Sequence, residues 1–189
     1  MMLNKRPKPL SWWLGVILFT SCVNWLMGCV GVNDALTPSA QTIVDQFDGR
    51  QIIRQAPISA ASGLSEDFHT LGFEWMEKYS DLIFVTVGHA MQIRAIQDAA
   101  FNADGKIFDK LKPASALTHF EHGASFRRFE MPLDQFRVVA RANVVKMRVG
   151  GINDYTVSSF GPGSGEAIVN SKFAPFLTAV DAALAKSRR

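Results

Sequence analysis

The stretch LGFEWMEKYSDLIFVTV, residues 71–87, decides the fold predicted for this chain. Leu71, Phe73 and Trp75 alternate with glycine and glutamate, and this period of two indicates a half-buried strand. After a short turn, residues 82–87 form a continuously apolar and β-branched run, which is typical of a central strand covered on both faces. Two adjacent strands are therefore predicted at the centre of a sheet.

Further strands are predicted on both sides of this centre, some from alternation of apolar and polar residues and others from the turn residues beside them. They cover residues 51–55, 91–95, 100–101, 107–108, 126–131, 145–149 and 155–160. Met91 and Ile93 belong to a strand that we expect to pair with 82–87 through the turn Gly88-His89-Ala90. Asn102-Ala103-Asp104-Gly105 favours another hairpin, because its glycine can adopt a positive φ.

Helices are predicted at three places where apolar residues recur at three and four positions. The first begins at Thr37-Pro38, with proline at the first helical position, and ends at Gly49. A short amphipathic helix is predicted near 133–142. A longer C-terminal helix is predicted near 171–186, and its apolar face is built from Phe173, Phe176, Leu177, Val180 and Leu184.

Sequential antiparallel strands followed by two late helices predict an α+β domain built on an antiparallel sheet. The helices are expected to cover one face, and the sheet is expected to curl toward a sandwich or a partial barrel. Residues 57–67 and 111–123 lack a clear period and are expected to be loops.

The first 29 residues differ in character from the rest of the chain. Three basic residues, Lys5, Arg6 and Lys8, precede an uncharged apolar run that contains Leu26-Met27-Gly28-Cys29. This order resembles a bacterial lipoprotein signal peptide that ends in a lipobox. The resemblance implies cleavage before Cys29 and attachment of a diacylglycerol to its sulfur.

Two alternatives to this processing remain open. The uncharged run from Leu10 to Val32 has 23 residues and is long enough for an uncleaved membrane anchor, which needs about 20 apolar residues. Cys22, which follows Phe19-Thr20-Ser21, is a second and poorer match to a lipobox. In each case the positive charges stay on the cytoplasmic side and the remainder of the chain is exported.

The resemblance implies three segments: a signal peptide at 1–28, a lipidated cysteine with a tether at 29–38, and one globular domain at 39–189. Without the signal, the chain has 17 basic and 17 acidic residues, so its formal net charge is zero. The net charge therefore gives no indication of nucleic-acid binding. The one remaining cysteine, Cys29, excludes a disulfide within the processed chain. The order of elements and the segment Phe47-Asp48-Gly49 also resemble uncharacterised bacterial secreted and lipoprotein domains, a resemblance that implies no known activity.

Two clusters were weighed as functional sites. Gly161-Pro162-Gly163-Ser164-Gly165 precedes a predicted helix but lacks the spacing of phosphate-binding loops, so it is interpreted as a connection. His119 and His122 flank Glu121, and zinc could use them if a third ligand came from His69 or His89. We interpret them instead as exposed loop histidines and predict neither a metal nor a cofactor.

Basic residues recur at Arg127, Arg128, Arg137, Arg141, Lys146 and Arg148. A patch toward anionic lipid or cell-wall polymer is one interpretation, but the solvated sides of a strand and a helix explain the same pattern more simply.

The predicted function is that of an envelope lipoprotein with a non-enzymatic binding or interaction domain. Its partners would be the bilayer, through acylated Cys29, and an envelope protein or polymer. Val30 follows Cys29, which resembles sorting to the periplasmic face of the outer membrane where the host has two membranes. The alternative is a hydrolase or small-ligand-binding domain whose site is built from loops around His119, His122 and Gly161–Gly165.

Overall fold

The computed structural model describes residues 37–62, 68–165 and 167–187. Residues 39–189 belong to one compact unit. The predictions of a signal peptide, of lipid attachment at Cys29 or Cys22, and of most of the tether lie outside the described residues. Within the described ranges, no helix has both the length and the apolar character needed to cross a bilayer.

The described chain forms eleven strands and two α-helices. The strands are β1 (Gln41–Val44), β2 (Gln51–Ser59), β3 (His69–Met76), β4 (Leu82–His89), β5 (Asp98–Ala103), β6 (Lys106–Ile107), β7 (Lys112–Pro113), β8 (His119–Glu121), β9 (Ala124–Pro132), β10 (Val145–Gly150) and β11 (Tyr155–Phe160). The helices are α1 (Leu133–Arg141) and α2 (Asn170–Ser187).

The strands form two antiparallel sheets. The large sheet has the order β1-β2-β3-β4-β9-β7, with β8 also paired to β9, and the small sheet has the order β11-β10-β5-β6. The large sheet is curled into a half-barrel. The predicted α+β class, the antiparallel sheet, its curl and the two late helices are therefore confirmed.

The core is enclosed by one face of the large sheet, one face of the small sheet and the two helices. β3 and β4 pair in continuous register, with Phe73 opposite Val85 and Trp75 opposite Ile83, and all four side chains are buried. Alternation along the strands points these residues to the same face. On that face, Phe73 contacts a set of aromatic rings from both helices: Phe136, Phe173 and Phe176. Phe160 of β11 stacks on Phe173, so both sheets meet at this aromatic cluster.

The predicted first helix is wrong, because residues 41–44 form β1 and pair with β2 at the edge of the large sheet. Ile43, Val44 and Phe47 have helical spacing but stay exposed, and Phe47 is 98% exposed. An amphipathic helix is stabilised by burying its apolar face, and this segment has no such burial. Gly49, with φ +73°, lies in the turn between β1 and β2 instead of ending a helix.

The predicted strand at 91–95 and its hairpin with 82–87 are also wrong. Gly88 and His89 belong to β4, and residues 90–97 form no strand. The strand that pairs with β4 on this side is β9, which matches all eight of its residues from Leu82 to His89. Met91 and Ile93 are 83% and 71% exposed, so their alternation does not report a buried face.

The two predicted loops are shorter than expected. Pro57, Ile58 and Ser59 extend β2, where a register shift between Gln55 and Ile58 accommodates the proline. Residues 111–123 contain the short strands β7 and β8, which pair with β9. Both segments gain backbone pairing from long neighbouring strands.

Candidate functional site

Two adjoining hollows lie on the large sheet and share Arg128. The first encloses about 320 Å³ and is bounded by Arg54, Thr86, Leu117, His119, Glu121 and Phe126. The second encloses about 330 Å³ and is bounded by Met76, Tyr79, Leu82, Phe84 and Glu130. We call the two hollows together the outer groove.

The floor of the outer groove follows from strand alternation. Glu74 lies between inward-pointing Phe73 and Trp75, so its side chain points to the opposite face. The register places Arg54, Glu74, Phe84 and Glu130 opposite one another on β2, β3, β4 and β9. Charged and aromatic side chains thus form a row across four strands on the face away from the helices.

Arg128 is fixed where the two hollows meet. Its guanidinium lies 4.3 Å from the centre of the Phe84 ring and donates a hydrogen bond to the Glu74 carboxylate. Arg54 contacts the same carboxylate, with 3.6 Å between Nε and Oε2. Two guanidinium groups face one half-buried carboxylate, and Glu130, the other carboxylate of the row, is paired with Lys112 at 2.9 Å. The middle of the groove therefore has an excess positive charge.

Two glycines shape the first hollow. A Cβ atom on Gly72 would lie 2.8 Å from the backbone nitrogen of Pro57, and one on Gly88 would lie 2.6 Å from the Phe126 ring. Both distances are too short for a real contact. The two glycines therefore allow Pro57 and Phe126 to lie close against the sheet.

The predicted histidine pair lies at the rim of the first hollow. Glu121 stands 3.5 Å from His119 Nε2 and 3.5 Å from His122 Nδ1. The His119 and His122 side chains are 71% and 91% exposed, and only His119 and Glu121 line the hollow.

His69 and His89, which were considered as further zinc ligands, are buried on the helix-covered face. Their ring centres are 4.8 Å apart, and His69 Nε2 lies 2.8 Å from Thr156 Oγ1. The outward-pointing His119 and the inward-pointing His69 do not converge. In the part of the chain that the structure describes, no three His, Cys, Asp or Glu side chains are placed to hold a metal ion.

The glycine-rich loop Gly161–Gly165 packs against the ends of the helices. Gly163 N donates to Asn143 O at 2.7 Å, and Gly161 N donates to Asn170 Oδ1 at 2.9 Å. Gly161 has φ +102°, and a Cβ atom there would lie 2.6 Å from Asn143 O, so glycine is required. The loop connects β11 to α2 and is not part of the lining of the outer groove.

Arg127 has a structural role that the basic pattern did not reveal. It pairs opposite Val87, which points into the core, so its side chain starts on the buried face. The guanidinium donates to four backbone carbonyls from two loops: those of Ile96, Gln97, Ser115 and Ala116. It thereby fixes one wall of the first hollow. Arg127, Phe129 and Met131 are spaced two residues apart and so share one face of the strand. This spacing is the sequence signal that could have shown the role of Arg127.

The outer groove has the geometry of a shallow binding surface. Its middle is cationic, and its two ends carry aromatic and apolar side chains that water can reach. Comparisons with protein-family models, curated protein sequences and solved structures found nothing that matches this chain.

Proposed function

We propose that the protein is a membrane-anchored envelope lipoprotein whose folded domain is a non-enzymatic binding domain for an envelope polymer or protein. The outer groove is the site that holds this partner. The observation that carries the proposal is that Arg128 lines both hollows, because one extended ligand that occupies both must pass over this side chain.

The chemistry of the groove favours an extended ligand that carries an anionic group between less polar groups. The excess positive charge from Arg54 and Arg128 lies in the middle of the groove. Leu117 at one end is 80% exposed, and Tyr79 at the other end is also exposed. Aromatic and arginine side chains are the residues that contribute most often to binding energy at interfaces.

The exposure of the histidines supports binding over catalysis. General acid or base catalysis needs a group that is held in position against the reacting proton. The side chains of His119 and Glu121 lie at the rim of the hollow and are 71% and 56% exposed. His122 and Gly161–Gly165, the other parts of the alternative site, do not line the hollow that contains His119.

A binding experiment with the full-length chain in mild detergent tests the proposal. The protein is immobilised and exposed to envelope extract, and the retained polymer or protein is identified and titrated. Leu117→Asp is expected to weaken retention about tenfold, because it places a negative charge and removes an apolar contact at the groove. Val138→Asp, at an exposed apolar position on α1, is the matched control and should bind as the wild type does.

Wild-type affinity in Leu117→Asp would contradict the outer groove as the site. His119→Gln separates the two candidate functions. A binding domain predicts a smaller effect for His119→Gln than for Leu117→Asp, whereas a hydrolase or small-ligand site built on His119 predicts that His119→Gln has the largest effect.

The anchoring part of the proposal has a separate test. Cys29→Ala should abolish incorporation of labelled lipid and leave the precursor unprocessed, while Cys22→Ala should change little. Fractionation should then place the wild-type protein at the periplasmic face of the outer membrane in a host with two membranes. Loss of labelling in Cys22→Ala alone would move the cleavage site to Cys22, and labelling of neither residue would favour an uncleaved anchor.

A further inference from the structure

The small sheet presents a second open surface, on its face away from the core. The register places Ala100, Arg148 and Val157 side by side, and Asn102 beside Lys146 in the next row. A groove of about 370 Å³ crosses these rows and is closed on the far side by Ile107, Phe108 and Lys110. We call it the cationic groove. Its floor is low because Ala100 and Asn102 are short compared with the residues around them.

The charges along the cationic groove are mostly positive. Four basic residues, Lys106, Lys110, Lys146 and Arg148, lie on or beside it, together with the acidic Asp98 and Asp109.

The pairing among these charges leaves two lysines available. Asp98 already pairs with Lys110, at 2.7 Å between Oδ2 and Nζ, and with Arg148, at 3.6 Å between Oδ1 and Nη2. Lys106 and Lys146 have no carboxylate partner among residues 37–62, 68–165 and 167–187. The surface is therefore complementary to an added negative charge.

The outer edge of the same sheet is occupied at Ser159 and open along the earlier part of β11. Ser159 O accepts hydrogen bonds from Ser62 N at 3.1 Å and from Ser62 Oγ at 3.0 Å, so this carbonyl points away from β10. Backbone groups alternate in an antiparallel pair, and the N–H and C=O groups of Val157 and Tyr155 must therefore point away from β10 as well. In the described part of the chain nothing pairs with them. The side chains of Tyr155 and Val157 are exposed, as is that of Ile107 across the groove.

We propose that the small sheet docks an extended acidic segment of a partner protein, which adds as a strand to the edge of β11. Alternate carboxylates of that segment point across β11 toward Lys146 and Arg148, at the side of the cationic groove nearest to β11. This surface is distinct from the outer groove on the large sheet, so the proposal goes beyond the proposed function. Strand addition draws affinity from main-chain hydrogen bonds and specificity from alternate side chains.

The geometry fits a polypeptide better than a membrane or an inorganic polyanion. Neighbouring strands lie about 4.8 Å apart, so a strand added to β11 lies about 10 Å from β10. A long basic side chain from β10 and a glutamate from the added strand can together cover that distance. The open N–H and C=O groups of Val157 and Tyr155 need complementary backbone groups, which a lipid head group or a phosphate chain does not supply.

The probe is a fluorescent peptide of alternating glutamate and valine, eight residues long, titrated into the full-length protein in mild detergent and followed by anisotropy. Saturable binding is expected at about 0.05 M salt, with an affinity about tenfold weaker at about 0.5 M. Lys146→Glu should weaken binding about tenfold, because it reverses a charge at the contact. The matched control Lys186→Glu, at the exposed end of α2, should have no effect.

A second probe separates strand addition from simple charge attraction. The same peptide with alternate backbone amides methylated keeps its charge but loses main-chain donors, and it should bind about tenfold more weakly. Equal affinity for the methylated peptide, tighter binding of polyphosphate or of vesicles with anionic lipid, or no saturable binding would each overturn the proposal.

The variants also keep the two binding surfaces distinguishable. Leu117→Asp should leave peptide binding unchanged, and Lys146→Glu should leave retention of the outer-groove ligand unchanged. Because Lys146 is exposed, neither Lys146→Glu nor the milder Lys146→Gln is expected to unfold the protein. Circular dichroism of both variants checks this, and loss of peptide binding in a folded Lys146→Gln variant supports the contact.

Discussion

The pair β3–β4 and the segment 90–97, which directly follows β4, are held in place by different interactions. The strands are joined by a backbone ladder of seven residue pairs, and one of their faces is filled with apolar side chains such as Phe73 and Trp75. The segment 90–97 has no regular structure, and side chains from other parts of the chain hold its backbone groups.

Three side chains bond to the backbone of the segment 90–97, and at its two ends Ala90 N and Gln97 N donate to the backbone carbonyls of Phe68 and Gly150, both at 2.7 Å. Ser125 Oγ donates to Gln92 O and accepts from Arg94 N, both at 2.8 Å. Thr118 Oγ1 accepts from Ile96 N at 2.9 Å, and Arg127 donates to Ile96 O at 2.8 Å. A backbone that leaves the ladder still needs partners for its polar groups, and between Gln92 and Ile96 individual side chains supply them.

This difference indicates which substitutions should lower the stability of each region. In the strand pair, the ladder is formed by backbone groups and does not depend on which apolar side chains the strands carry. The stability there depends on how completely these side chains fill the core. In the segment 90–97, the identity of a few polar side chains decides whether the backbone stays ordered. Met91 adds local strain, since its φ of +61° is rare for a residue other than glycine.

The largest expected effect comes from removing volume under the strand pair. Phe73 is buried, and its ring centre lies 5.2 Å from that of Phe136 and 4.8 Å from that of Phe176. Phe73→Ala should lower the free energy of unfolding by about 3–5 kcal/mol, because it leaves a cavity among these rings. Urea denaturation measures the change. Phe73→Leu, which keeps much of the volume, should cost clearly less, and similar losses for both variants would contradict the volume argument.

A smaller and more local effect is expected from Arg127. Arg127→Met keeps the length of the side chain but removes the donors to Ile96 O, Gln97 O, Ser115 O and Ala116 O. We expect a loss of about 2 kcal/mol in the free energy of unfolding, since the part-buried carbonyls of Ile96 and Ser115 lose a charged donor. Hydrogen exchange should increase in residues 90–97 and 115–118, while β3 and β4 keep their protection.

The neighbouring Arg128 supplies the control for Arg127. Arg128→Met removes one contact to Glu74, which keeps its second partner Arg54, so residues 90–97 should exchange as in the wild type. If Arg127→Met increased hydrogen exchange in β3 and β4 as much as in residues 90–97, the two regions would unfold as one cooperative unit. The conclusion that different interactions hold them would then be wrong.

The same contrast explains which elements the sequence could predict. Alternation, a continuous apolar run and helical spacing indicate β3, β4, β9, β10, α1 and α2, because in these segments most of the apolar side chains are buried and the pattern records that burial. The turn residues beside them indicate β5 and β11. β1 and the segment 90–97 were predicted wrongly for the opposite reason. The apolar residues there, such as Phe47 and Met91, are exposed, so their spacing carries no information about a covered face.

The outer groove was less accessible to prediction than the fold. Glu74, Phe84 and Arg128 come from three strands and meet only through the register of β3, β4 and β9. No local pattern contains that register, since it depends on which strand pairs with β4. Arg127 could have been recognised, because the alternation of β9 places it on the side of Phe129.

An exposed ion pair between the two helices gives the smallest expected effect. Arg137 on α1 donates a hydrogen bond to Asp181 on α2, and this bond lowers the pKa of the Asp181 carboxyl below its ordinary value of 3.8. A lowered pKa in the folded state means that the pair stabilises the protein where the carboxyl is ionised. Its contribution is present above about pH 4 and is lost as the pH falls through the folded-state pKa.

Asp181→Asn should therefore lower the free energy of unfolding at pH 7, and the difference from the wild type should disappear toward pH 2. The loss should stay below about 1 kcal/mol, because the Asp181 side chain is 52% exposed and water screens the pair. Urea denaturation at several pH values measures the difference, with Asp109→Asn as a control at an exposed acid without an ion pair in the described chain. A loss that does not change between pH 7 and pH 2 would show that packing of the side chain, and not its charge, joins the helices above Phe73. The Arg137–Asp181 contact would then stabilise the protein by filling space, as the side chains between β3 and β4 and the helices do. Dependence on individual polar groups would then be limited to the segment 90–97.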